Sequence, residues 1–465
     1  MNRQCIVEIK KYSKKGLGQG ISEEFEKPIV IRGTHPGEQC LVEIFKKKQG
    51  VHEGKLLKLL KEHSERVLPK CSHAGICGGC LYQDLNYEQQ ILHKEHTLKE
   101  LFKDILLEEN IVLPSMITME NPWQFRNKME FSFHQDKEKR RYLGLIIGGS
   151  KGKVVNLEEC HVVRPWMAAI LKQVREWWET TSLEAYHPFS GQGTLYTLTL
   201  REGMHTGEKL IMLTVTGSPS SAFSHRELES FKKAVLHSLE GVVSLFLQIK
   251  QAQQGQPTQF HEMLLHGPDH IHEKLTINYP EGKERTFTFK ISPSSFFQPN
   301  TSQAEKLFSR ALAMITPKED LKILDLYCGT AALGMIFSCF AKKVVGVELN
   351  PYAVFDAQVN LEENHISNVE VFQGDVKNLL NMTSLREIDL MIVDPPRAGI
   401  GSKTLQEVLS LFPKEILYIS CNPYTQLEDI KECIAKGYRV KALQPVDQFP
   451  HTPHVENIAI LQRKI

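Results

Sequence analysis

Short, largely apolar runs divided by polar or glycine-rich turns cover most of the chain, and their character changes twice along its length. From Phe287 onward the runs Lys322–Leu326, Val344–Val347, Val369–Phe372, Leu390–Val393 and Ile416–Ser420 are nearly continuous rather than alternating. That pattern predicts strands buried on both faces, as in a parallel sheet. Helix-like stretches separate them, and Leu443 onward and Ile458–Leu461 supply the last strands. Strand–helix alternation of this kind predicts a doubly wound α/β domain over residues 286–465, entered by an amphipathic helix that ends near Ala313. Upstream, Phe125–Phe133, Leu195–Arg201 and Leu210–Thr216 predict a β-rich region, with a long helix over Leu81–Glu108 and another around Trp177 and Trp178. At the N-terminus Cys5–Ile9, Pro28–Ile31 and Leu41–Lys47 are punctuated by glycines, which predicts a small β-barrel. Three domains are expected: 1–68, 69–285 and 286–465.

Composition changes this picture only locally. The 465 residues are 41% hydrophobic and 24% charged, ordinary values for a globular chain of two or three domains. Net charge is +1, so affinity for nucleic acid must come from a patch. Residues 1–70 supply one, with twelve Lys and three Arg against nine Glu and no Asp. Lys10, Lys11, Lys14 and Lys15 cluster, as do Lys46, Lys47 and Lys48. A small basic barrel fits RNA along one face; a lysine-rich edge that blocks strand pairing is the plainer alternative. Met1–Lys15 lacks the apolar core of a signal peptide, and no run is long enough to span a membrane. The expected setting is the cytoplasm, with no membrane partner. Ten unevenly spaced Cys then argue for reduced thiols serving a metal or catalysis.

Three groups of residues carry chemistry. Cys71, Cys77 and Cys80 stand as C-x5-C-x2-C and need a fourth ligand. Cys160 is the next cysteine along, with His73 and His161 as rivals; spacing alone does not separate zinc from an iron–sulfur cluster. Second, Leu390–Val393 runs into Asp394-Pro395-Pro396-Arg397 and Ile416–Ser420 into Cys421-Asn422-Pro423. Neighbouring parallel strands would bring a carboxylate, an arginine and a thiol to one rim, where open α/β sheets bind ligands. Third, Asp325-Leu326-Tyr327-Cys328-Gly329 ends the first strand of that domain, Glu348 the second, and Asp375 follows the third. An acid in the place of Glu348 suits ribose hydroxyls. The full G-x-G-x-x-G of NAD sites is missing, so S-adenosylmethionine (SAM) fits this set better.

Together these motifs resemble the SAM-dependent RNA uracil-C5 methyltransferases, most closely the iron–sulfur-containing 23S rRNA (uracil-5-)-methyltransferases, over nearly the whole chain. The resemblance implies that residues 1–68 form an RNA-binding TRAM barrel, and that Cys71, Cys77, Cys80 and Cys160 hold a [4Fe–4S] cluster. It also implies that Gln298, Tyr327, Glu348, Asp375 and Asp394 line the SAM site, Cys421 is the nucleophile that adds to uracil C6, and Glu456 is the base that removes the C5 proton. One departure is plain. Ala331 and Ala332 stand where a second glycine and often Asn are usual, so their methyl groups are expected to crowd the methionine end of SAM. The expected protein is a monomeric RNA methyltransferase acting on 23S ribosomal RNA. The alternatives are a tRNA uracil-C5 enzyme and a non-catalytic RNA-binding relative. A cytosine-C5 enzyme would carry a cysteine just after the proline of the Asp394 turn, where this chain has Pro396-Arg397.

Overall fold

The computed structural model describes residues 3–48, 50–217, 223–252, 255, 258–315, 320–377 and 387–464. Its first five strands, Arg3–Tyr12, Gly18–Ser22, Phe25–Ile31, Gln39–Lys48 and Val51–Lys61, close into a barrel. Alternation makes that closure favourable: Cys5, Val7 and Ile9 point inward to meet Ile29, Ile31, Cys40 and Val42. Two of these strands were not legible beforehand. Gly18–Ser22 has two glycines and little strand propensity, and the Leu/Lys composition of Val51–Lys61 suits a helix as well. The side chains of the second lysine cluster, Lys46–Lys48, lie outside the described residues.

A seven-stranded sheet follows, in the order Gln259–His266, Val243–Gln251, Lys209–Thr216, Leu195–Glu202, Lys128–Gln135, Arg141–Ile146 and Val154–Asn156. Helices Pro165–Glu179 and His225–Leu236 share its core through Val174, Trp178 and Phe231. The predicted helix over residues 81–108 is two, Tyr87–Leu101 and Lys103–Glu108, broken at Phe102. Neither packs on this sheet. Ile91, Leu98, Phe102 and Ile105 instead join Leu324, Val393, Tyr418 and Leu461 in the core of the C-terminal region. The hairpin Ile271–Asn278 with Glu284–Ile291 likewise packs with helix Thr301–Met314.

The C-terminal sheet has seven strands, in the order Val369–Gln373, Ala341–Glu348, Leu321–Leu326, Leu390–Val393, Glu415–Ser420, Glu456–Arg463 and Tyr438–Val446. The first five are parallel. Their order reverses between Leu321–Leu326 and Leu390–Val393, so a crevice opens there at the carboxyl ends. Glu456–Arg463 runs antiparallel to Glu415–Ser420, with Asn457 opposite Ser420. Cys433 is buried in helix Pro423–Ala435, and Cys339 is exposed in the short 3-10 turn Ser338–Phe340. Among the described residues no helix is long and apolar enough to cross a membrane.

Candidate active site

Tyr327 leaves the strand Leu321–Leu326 with φ 60°, a left-handed conformation that turns the chain sharply across the crevice. Cys328 then donates its amide to the Val347 carbonyl at 3.2 Å, and its thiol lies over Gly346. A Cβ at Gly346 would stand 2.9 Å from that sulfur, so a glycine in the neighbouring strand sets the height of the turn. The turn presents the amide of Gly329 to Glu348 Oε2 at 3.0 Å, while the amide of Asn350 reaches Oε1 at 2.8 Å. Glu348 is thus oriented by backbone and keeps lone pairs free for hydroxyls. Asp375 follows the edge strand, and its charge bears on Tyr327, whose hydroxyl burial pushes up to about 12.

Gln298 enters from the loop before helix Thr301–Met314. Its Nε2 donates to Asp394 Oδ2 at 3.4 Å, and its Oε1 accepts from Gln448 Nε2 at 3.4 Å. Asp325, in strand Leu321–Leu326, is a further acid under this crevice, one that its place in the sequence alone gives no role. Its Oδ2 accepts the Gly334 amide at 2.9 Å, but its Oδ1 is buried without a partner. Burial pushes its carboxyl up to about 8, with Asp394 and Glu348 adding to the effect. A buried carboxyl with one unused oxygen fits a cationic ligand. Ala331 adopts φ 64° at the start of helix Ala332–Phe337 and is 1% exposed. It lies in the apolar core with Leu333 and Met335, and Ala332, partly buried, packs against that core.

On the other side of the switch point, Val393 pairs with Tyr418, which sets the Asp394 turn beside the Cys421 turn. Asn422 Nδ2 clips the two together by donating to the Arg397 carbonyl at 2.8 Å. Glu456 reaches the same rim because its strand runs the other way and begins there. Cys421, Asp394, Arg397 and Glu456 are therefore in mutual electrostatic contact. Burial pushes Asp394 up to about 7. Burial and the nearby Asp394 hold Glu456 far above the usual carboxyl range, against the pull of Arg397. Burial, then Glu456 and Asp394, push the Cys421 thiol up to about 11, while Arg397 opposes this by charge and by a hydrogen bond. The resting site holds a thiol and at least one protonated carboxyl, with Arg397 poised to favour the thiolate. His454 lies against this group, its basicity lowered to about 4 by burial and by Arg397, Lys94 and Arg126.

Cys71, Cys77, Cys80 and Cys160 line one cavity of about 650 Å³ that extends to Arg397 and His454. Burial raises Cys80 to about 12 and Cys160 to about 11, and the neighbouring thiols add to both shifts. The Gly79 amide donates to Cys77 Sγ at 3.4 Å. Among the described residues no three of these sulfurs lie within 4.8 Å of one another; Cys71, His73 and Glu159 do converge that closely. A tetrahedral zinc with bonds of about 2.3 Å would hold its sulfurs roughly 3.8 Å apart.

The sequence profile of the family described as tRNA (Uracil-5-)-methyltransferase matches residues 86–464. A protein of Protochlamydia amoebophila described as an uncharacterized RNA methyltransferase is 43% identical over 438 residues, covering 92% of this chain and 98% of its own. One from Chlamydia pneumoniae with the same description is 36% identical, covering 86% of this chain and 99% of its own. Among solved structures, the tRNA (uracil-54, C5)-methyltransferase of Pyrococcus abyssi in complex with S-adenosyl-L-homocysteine superposes with a TM-score of 0.72 at 24% identity. That likeness covers 98% of this chain and 99% of the other, and shows a shared fold.

Proposed function

This chain belongs to the tRNA (uracil-5-)-methyltransferase family, and on that premise we propose that it methylates C5 of a uridine in 23S ribosomal RNA. One observation carries the chemistry: a thiol, two carboxyls and a guanidinium meet at a single rim beside the switch-point crevice. SAM, when bound, supplies an electrophilic methyl group. Gln298, Tyr327, Glu348, Asp375 and Asp394 would hold it, and the unpartnered oxygen of Asp325 suits its positive charge.

Uracil C5 is a poor nucleophile. The Cys421 thiol loses its proton to solvent, and addition of the thiolate to C6 makes C5 an enolate-like centre. Arg397 favours the thiolate and offsets the charge that develops on the ring. Gln298 and Asp394 read the uracil edge, and a carboxyl kept neutral by burial can donate as well as accept there. Once C5 is methylated, Glu456 takes its proton, the C6–S bond breaks, and the electron pair returns to Cys421. Glu456 must first release its resting proton to solvent; its raised proton affinity then makes the carboxylate a stronger base for that last step. The target base must leave any stack to enter.

The four thiols would hold a [4Fe–4S] cluster. Support comes from the donor set and the amide bonded to Cys77 sulfur. The transfer needs no electron, so the centre's role is structural. The basic barrel and this centre favour ribosomal RNA by analogy. The full-length likeness to a tRNA enzyme supports a second reading, a tRNA substrate. Either way the enzyme would work as a monomer in the cytoplasm.

Methyl-labelled SAM with unmodified 23S rRNA and tRNA transcripts tests this, with 5-methyluridine mapped in each. Label in 23S rRNA alone supports the proposal; label in tRNA alone overturns the substrate. Cys421→Ala should abolish turnover. Glu456→Gln keeps the shape but removes the base, so a denaturant-resistant protein–RNA adduct carrying the methyl label should accumulate. Turnover of Glu456→Gln at the parent rate would sink Glu456 as the base.

A further inference from the structure

A second cavity, of about 230 Å³, opens onto Cys421 from the side of the N-terminal barrel. Its walls come from distant parts of the chain: the barrel turn Tyr12–Gly16, Tyr82 with helix Tyr87–Leu101, and the turns that carry Arg397, Cys421 and Pro453. The barrel turn is tight, with the Ser13 amide donating to the Leu17 carbonyl and the Gly16 amide to the Ser13 carbonyl, both at 2.8 Å. Gly16 has φ +74°, and a Cβ there would fall 2.4 Å from Pro453 Cβ and 2.8 Å from the Tyr82 hydroxyl. The barrel is thus seated directly on the loop that leads into Glu456.

The chemistry of this cavity is specific. Tyr12 and Tyr82 lie with ring centroids 4.8 Å apart at 32°. Lys14 Nζ sits 5.1 Å from the centroid of Tyr424, three residues beyond Cys421. Lys14 and Arg397 bring positive charge, and among the described residues no carboxylate lines the cavity. The Tyr12 hydroxyl is occupied by His35 at 2.7 Å. Among the described residues the Tyr82 and Tyr424 hydroxyls have no hydrogen-bond partner. Pockets for drug-sized ligands run from about 300 to 1,000 Å³. This one is smaller, fit for one planar group with its sugar, and it adjoins the nucleophile.

We propose that the Tyr12–Tyr82–Tyr424 cavity is a second nucleotide subsite: it takes the base next to the target uridine in single-stranded RNA, stacked on Tyr424, with the linking phosphate on Lys14 and Arg397. Aromatic rings beside cationic side chains are the means by which proteins hold single strands. The barrel turn therefore forms part of the catalytic pocket, in addition to any contact it makes with more distant RNA. This inference rests on the RNA methyltransferase reading above.

A double-mutant cycle on the full chain tests it. The probes are single-stranded RNA heptamers with one central uridine, either intact or with an abasic site directly 5′ or 3′ of it, and binding is read by fluorescence anisotropy. An abasic site on one side only should weaken parent binding roughly tenfold, the scale of one lost base–aromatic stack. Tyr424→Ala should bind the intact heptamer as weakly and lose nothing further with the abasic one. Tyr424→Phe keeps the ring and should restore the parent pattern, which separates stacking from misfolding. Lys14→Gln should reduce the salt dependence of binding by about one phosphate contact. Additive losses from Tyr424→Ala and the abasic site, or indifference of the parent to both abasic positions while it methylates RNA, would overturn the subsite. A parent protein that methylates neither ribosomal nor transfer RNA would fail the activity reading itself.

Discussion

Asp394 and Glu456 are ordinary acids placed where charge is costly. Free carboxyls titrate near pH 4; in the fold Asp394 is pushed up to about 7 and Glu456 is raised as well. The folded state therefore binds more protons than the unfolded chain between about pH 4 and pH 7. Stability contributed by the neutral acids is full below that window and is lost as pH rises through it. Glu456→Gln removes the titration and keeps the shape. We expect the variant to melt a few degrees above the parent at pH 8, where unfolding lets Glu456 release the proton that burial favours, and level with it near pH 4. Thermal unfolding at the two pH values measures the gap; an equal gap at both would mean the carboxyl is not held neutral.

Helix Tyr87–Leu101 acts as a strut between the front of the chain and the catalytic loop. Its Lys94 pairs with Asp447 at 2.6 Å, with side chains 2% and 0% exposed, and also donates to the Phe449 carbonyl at 3.1 Å. Tyr87 donates to the other oxygen of Asp447 at 2.7 Å. Gln90 Oε1 accepts the His451 amide at 3.0 Å, and His451 stacks on Trp123 with centroids 4.1 Å apart. Residues 447–455, which lead into Glu456, are thereby fixed from a helix more than three hundred residues away in sequence. Removing one partner of a buried pair leaves an uncompensated charge and costs about 3–5 kcal/mol. Lys94→Met should lower the urea midpoint accordingly, and Lys94→Met with Asp447→Leu should recover much of the loss. A Lys94→Met protein that unfolds at the parent midpoint would show that the pair does not hold the loop.

Across the whole molecule, the cysteine cavity and the cavity beside Cys421 share Arg397 and His454 in their walls. Arg126 lies between them, under the influence of Cys80, Cys160 and Arg397. A centre held by four thiolates would order this wall of the RNA cleft. Protein purified without oxygen should be brown and contain iron and sulfide. Cys160→Ser should lose the colour, melt lower, and expose the segment from Cys71 to Cys80 to protease. A colourless folded protein with one zinc per chain would replace the cluster with zinc.

The barrel and the parallel sheet were legible because both rest on local periodicity: alternation along Arg3–Tyr12, unbroken apolar runs at Leu390–Val393 and Glu415–Ser420. The turns after those runs were legible too, since proline, aspartate and cysteine there have no use in continuing a strand. Strand direction was not. Only the reversed course of Glu456–Arg463 brings Glu456 to the rim of Cys421, and direction is set by pairing with distant strands. The role of Lys94, the seating of Gly16 on Pro453 and the unpartnered oxygen of Asp325 were equally hidden. Each depends on what stands opposite in space, and no local pattern encodes that. Sequence by itself determined which chemical groups this protein owns and which strands end in them. Tertiary structure decided which groups share a proton, a cavity or a wall, because burial and long-range pairing alone set those energies.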